Sequence, residues 1–141
     1  MADGLIAVVY VSRAICPVRS VPEAAIHLDS RRRNSAMGIT GLLHREDDHF
    51  AQYIEGPERA IDALMQRIDN DWRHTDLRIR HRGPIGRRLF TGWAMAFTDE
   101  GTRRFAAVGS PQFIGRADGP ALHLFFAAAR QADRLALACI D

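Results

Sequence analysis

The chain has 141 residues, a length typical of one domain, and 47% of them are hydrophobic, enough for a core. A formal charge of +2 demands neither nucleic acid nor an anionic membrane as a partner. All 19 basic residues are arginine, which removes lysine chemistry outright: no Schiff base, no pyridoxal phosphate anchor, no P-loop lysine. Cys16 and Cys139 lie far apart without CxxC spacing and point to neither a zinc site nor a disulfide framework. The opening MADGLIAVVYVSRA lacks the basic start of a signal peptide, and neither its apolar run nor ALHLFFAAA is long enough to span a membrane. A soluble, cytoplasmic domain is expected.

In chain order, LIAVVYV (5–11) predicts a buried strand from its β-branched run. A loop containing Pro17 follows. Ser20-Val-Pro-Glu23 resembles a capping box and predicts a helix from about Val21 to Met37, stopped by Gly38. GITGLLHRE (38–46), the turn Asp47-Asp48 and HFAQYIEG (49–56) predict a hairpin. On its second strand Phe50, Gln52 and Ile54 share one face, and Ala51, Tyr53 and Glu55 the other. Gly56-Pro57 opens a second helix to about Trp72, with Ile61, Leu64, Met65 and Ile68 at i, i+3, i+4, i+7 spacing. LRIRHR (77–82) and GWAMAF (92–97) predict two more strands, and a last helix runs from about Ala121 to Leu137. The order β-α-β-β-α-β-β predicts an α+β, ferredoxin-like plan with two helices on one face of a mostly antiparallel sheet. Residues 1–97 would form that domain, and 98–141 a helical cap on the sheet's free face.

Common catalytic signatures are missing. The six histidines show no HExxH spacing, and neither GxSxG nor GxGxxG after the first strand occurs. RIRHRGPIGRR (78–88) is basic but lacks the aromatic pattern of RNA-binding sheets, so no nucleic-acid partner is expected. More informative are polar residues in apolar settings. An unpaired buried amide costs roughly 1–3 kcal/mol, so Gln52 needs a partner. Tyr10, Asn34, Trp93 and Met95 each have an ordinary structural reading, and Arg67 with Asp71 reads as an i, i+4 surface ion pair. Together they converge: Tyr10 and Gln52 fall in one sheet, Asn34, Arg67 and Asp71 on the helices above it. A planar polar heterocycle between the helices would use them all, because amides offer donor and acceptor and arginine offers donors.

VVYVSRA, RRRNSAMGITGLL, HFAQYIEG, RIDNDWRH and FTGWAMAF, in this order and spacing over about residues 5–97, resemble a BLUF domain, the blue-light sensor that uses a flavin. The resemblance implies non-covalent FAD between the two helices, with FMN or riboflavin as alternatives. It implies Tyr10 as the photoactive tyrosine and Gln52 as the switch between it and the flavin. Trp93 and Met95 would be the strand residues that differ between states, and Ser12, Ile26, Arg33, Asn34, Arg67 and Asp71 would surround the cofactor. It further implies that light drives an electron and a proton from Tyr10, the proton through Gln52, leaving that amide rotated or tautomerised. Arg33 and His44 depart from the family pattern. The expected role is a sensor, not an enzyme, forming a homodimer or larger homo-oligomer and acting on a separate signalling partner without nucleic acid or membrane. The alternatives are a small ferredoxin-like phosphate enzyme of the acylphosphatase kind and a colourless scaffold.

Overall fold

The computed structural model describes residues 4–92, 94–99, 105 and 114–138, with side chains of the last helix described to Gln131. In chain order the elements are β1 (Leu5–Ala14), α1 (Val21–Met37), β2 (Thr40–Glu46), β3 (His49–Pro57), α2 (Glu58–Asp69), β4 (His74–Pro84), β5 (Ala96–Asp99), a 3-10 turn at Ile114–Arg116, and α3 (Gly119–Ala138). The five strands are ordered β4-β1-β3-β2-β5. All neighbours are antiparallel except β5, which runs parallel to β2 at one edge. This is the ferredoxin-like α+β plan with one added strand.

Several boundaries differ from expectation, beginning with β1, which runs on to Ala14 instead of giving way to a loop after Val11. α2 ends at Asp69 rather than Trp72, because the Asn70 side chain and backbone both donate to the Gln66 carbonyl and close the helix. β4 runs from His74 to Pro84, well beyond 77–82, because pairing with β1 continues through two register shifts. The last strand starts at Ala96, not at Gly92, which has φ +84° and lies in a turn.

Local chemistry explains the helix entry. Ser20 Oγ accepts the Glu23 N–H at 3.3 Å, as an N-cap should. Glu23 does not complete the box on Ser20; its Oε1 accepts the Arg19 N–H at 3.0 Å and its Oε2 meets Arg45 Nη1 at 2.5 Å. Arg45 also donates to the Cys16 carbonyl at 2.9 Å. This buried ion pair ties α1 and the loop before it to β2. Gly38 ends α1 in the left-handed region, φ +70°. Gly41 is required by proximity, since a Cβ there would lie 2.0 Å from the Tyr53 carbonyl oxygen.

Two cores flank the sheet. One holds Ile6, Val8, Phe50 and Ile54 against Ile61 and Leu64 of α2. The other packs Val9, Leu42 and Tyr53 against Phe90, Phe105, Leu122, Phe125 and Phe126, so α3 covers the face opposite α1 and α2. The buried residues of α1, by contrast, are polar: Glu23 and Asn34. A helix that brings so little apolar surface inward does not seal against the sheet, and a cleft results. At the far edge, β4 carries Arg78 and Arg82, paired with Asp76 at 3.4 Å and Asp62 at 2.8 Å. No helix among the described residues is long and apolar enough to cross a membrane.

Two substitutions test this scaffold by urea denaturation. Gly41→Ala is expected to lose about 1–3 kcal/mol through overpacking. Glu23→Ala is expected to lose about 3–5 kcal/mol by stranding the Arg45 guanidinium.

Candidate functional site

A partly open cleft lies between α1, α2 and the sheet. Its floor is Tyr10 of β1 directly opposite Gln52 of β3, both almost fully buried. The Tyr10 hydroxyl donates to Gln52 Oε1. Gln52 Nε2 donates to Met95 Sδ at 3.3 Å. A thioether is a weak acceptor, so this second bond is the softer of the two. Gln52 thus has protein partners at both ends, and one of them sits immediately before β5.

Apolar side chains form the walls: Ile26 from α1, Leu64 and Ile68 from α2, Leu43 and Phe50 from the sheet. Asn34 faces the same space. It is 1% exposed, yet neither its Oδ1 nor its Nδ2 has a hydrogen-bond partner among the described residues. That is a large debt for a native fold unless a ligand satisfies it. Half-buried Arg33 and exposed Arg67 stand on the lining as well, and with Asp71 and Arg73 they continue into a more open polar hollow beside the cleft.

The electrostatics are set just past α2. Asp71 lies beyond the helix end, and its partner is Arg73, not Arg67. Arg73 Nε and Nη2 reach the two Asp71 oxygens at 2.8 and 2.6 Å, and Nη1 reaches Asp29 at 3.4 Å. Burial pushes the Asp71 pKa up, but the bonds from Arg73 outweigh it and hold the carboxyl below its usual range. The same bonds raise Arg73. Burial, with the Asp71 charge adding to it, raises the Tyr10 phenol well above 10, so it remains a donor. His74 completes this side, its ring 6.4 Å from that of Tyr10 and its Nε2 bonded to the Ile68 carbonyl.

Of the expected site residues, Tyr10, Ile26, Arg33, Asn34, Gln52, Arg67 and Asp71 come together on this cleft. Met95 joins through Gln52. Ser12 does not line the cleft; it is buried on β1 and its hydroxyl has no partner among the described residues. Trp93 lies outside the described residues. Sequence reasoning missed Asp29, Ser30, Arg73 and His74, which also line the space. Arg73 and His74 follow Asp71 directly in RIDNDWRH, so their signal was present in a stretch already singled out.

The family model for sensors of blue-light using FAD matches residues 5–96. The chain belongs to the BLUF family. It is 35% identical over 92 residues to photoactivated adenylate cyclase subunit beta of Euglena gracilis, a match spanning 64% of this chain and 11% of that protein. Subunit alpha of the same organism is 34% identical over 93 residues, 9% of its length. The chain therefore spans about a tenth of the curated relatives it matches. Among solved structures, the dark state of the BLUF protein BlrB is 32% identical, with TM-score 0.78 over 92% of this chain and 99% of that one. BlsA in its ground state, 21% identical over 86% of this chain and 84% of that one, shares the fold at TM-score 0.73.

BLUF domains bind flavin, and the residues here fit one. A flavin ring is flat, with apolar faces and a pyrimidine edge that alternates carbonyl acceptors with an N–H donor. Ile26, Leu64 and Ile68 suit the faces, and the unpartnered Asn34 amide offers the donor and acceptor that such an edge needs.

Both tyrosines of the chain, Tyr10 and Tyr53, have raised pKa values, Tyr53 through burial and the adjacent Glu55. Absorbance at 295 nm should therefore show no tyrosinate near pH 10, where a free phenol is half ionised. Because the folded values exceed the unfolded ones, this contribution to stability is intact below pH 10 and declines above it, so tyrosinate should appear only with alkaline unfolding.

Proposed function

We propose that this BLUF domain holds FAD non-covalently in the cleft between α1 and α2 and that Tyr10, Gln52 and Met95 are its light-responsive residues, with Trp93 as a further candidate. The observation that carries the reading is the Tyr10–Gln52–Met95 chain on the same cleft as the unpartnered Asn34 amide. Asn34 would bond the polar edge of the ring, Ile26 would pack on its face, and Asp71 with Arg73 would face its polar rim. Arg33 and Arg67, at the mouth, suit the phosphates that distinguish FAD and FMN from riboflavin. Ser12 would act from behind Tyr10 rather than on the ring.

Photoexcited flavin supplies a strong one-electron oxidant. The protein's part is to manage a proton and an amide. Tyr10 holds its proton on the hydroxyl, already shared with Gln52 Oε1, so a proton leaving the phenol has a defined acceptor. Rotation of the Gln52 amide by half a turn would exchange its ends. Nε2 would then face Tyr10, and Oε1 would face the Met95 sulfur, where two acceptors meet without a hydrogen. The Met95 contact would be lost, and the entry to β5 released.

We further propose a cytoplasmic sensor without catalysis of its own, which assembles as a homodimer or larger oligomer. Residues 98–141, whose α3 packs on the sheet, would serve as its output cap toward a separate signalling partner. The acylphosphatase-like alternative has no comparable support: Arg73, the most constrained cation of the site, is already engaged by Asp71 and Asp29.

Visible absorption in darkness and after blue light tests the reading. A flavin spectrum that moves slightly to the red and recovers in darkness is expected. Tyr10→Phe should keep the bound flavin and lose that shift; a shift that survives would remove Tyr10 from the mechanism. Asn34→Ala should weaken flavin affinity by about 1–3 kcal/mol, the worth of two hydrogen bonds.

A further inference from the structure

β5 touches both cores. On the cleft side, Arg31 Nε donates to the Met95 carbonyl at 3.4 Å, and the Phe97 ring lies 3.6 Å from that of His27 on α1. One residue on, Thr98 stands opposite His44 of β2. His44 is fully buried on the side covered by α3, its ring 4.7 Å from that of Phe125.

The bonding of His44 is directional. Its Nε2 lies 3.3 Å from Glu46 Oε1 and its Nδ1 2.8 Å from Thr98 Oγ1. A carboxylate can only accept, so Nε2 carries a hydrogen toward Glu46, and Nδ1 is the atom that pairs with the Thr98 hydroxyl. Glu46 Oε1 also accepts the Phe105 N–H at 2.8 Å. One imidazole therefore joins the edge strand, through Thr98, to Phe125 on α3 and, through Glu46, to the backbone at Phe105.

Resting on the light-sensor reading above, we propose that His44 is a positioning residue that couples β5 to the C-terminal cap: a displacement of β5 that begins at Met95 reaches Phe105 and α3 through the Thr98–His44 hydrogen bond. Among the described residues β5 is four residues long and paired on one side only, so its side-chain contacts, not its ladder, decide what moves with it.

The test uses the full chain with bound FAD and reads two signals from each sample: visible absorption, and amide hydrogen exchange in peptides from 119–138, in darkness and under blue light. In the unsubstituted protein, a severalfold light-dependent change in exchange is expected. Thr98→Val, which replaces a hydroxyl by a methyl at equal volume, should keep the dark spectrum and the red shift and lose most of that change. Thr98→Ser should retain it, and His44→Phe should behave as Thr98→Val. Survival of the exchange change in Thr98→Val overturns the proposal, as does a red shift in the unsubstituted protein with no response in α3. No red shift in the unsubstituted protein overturns the sensor reading, and this proposal with it.

Discussion

An amide side chain has two chemically different ends, and at Gln52 both are buried. Oxygen takes the Tyr10 hydroxyl; nitrogen is left with a sulfur atom. That asymmetry organises the cleft side of the sheet. Tyr10 sits on β1, Gln52 on the central strand, and Met95 at the door of an edge strand, so a three-residue chain crosses most of the sheet's width. The opposite face has no such latitude, because Tyr53, Phe90, Phe105, Phe125 and Phe126 fill it with aromatic rings. One face of the same strands is built to stay, the other to accommodate change.

Magnitudes limit what that chain achieves alone. A neutral hydrogen bond contributes about 0.5–1.5 kcal/mol net. Reversing a 1:99 equilibrium takes about 5.5 kcal/mol. Rearranging Gln52 therefore cannot move a domain by itself; it must draw on contacts that change together. β5 gathers several of them: the sulfur of Met95, the Arg31 bond to its carbonyl, the Phe97–His27 ring contact and the Thr98 hydroxyl. Their coordination follows from the shortness of the strand, since four consecutive residues cannot relax independently.

Much of this was legible in the amino-acid order, and the reasons are local. Ser20, Pro22 and Gly38 mark both ends of α1, and alternation along 49–56 separates Gln52 from Tyr53 correctly. Tyr10, Asn34 and Gln52 stood out because polar groups in apolar settings need partners. Long-range bonding was not legible. Glu55 accepts from Thr40 and from the backbone of Leu89 and Phe90, a staple across residues far apart in the chain. The switch of Asp71 from Arg67 to Arg73 depends on α2 stopping at Asp69, and a helical repeat does not say where capping by Asn70 will win. Ser12 has the right face and lies too far along β1 to reach the cleft.

The outer edge of β4 carries a further consequence. Among the described residues this eleven-residue strand has no neighbour on its outer side, and such an edge is a template for adding another chain. A register shift opposite Val9 and Tyr10 divides its arginines between the faces, Arg82 opposite Val8 and Arg78 opposite Val11. An irregular ladder twists the edge and disfavours regular pairing with another strand. The edge is thereby guarded against runaway sheet growth.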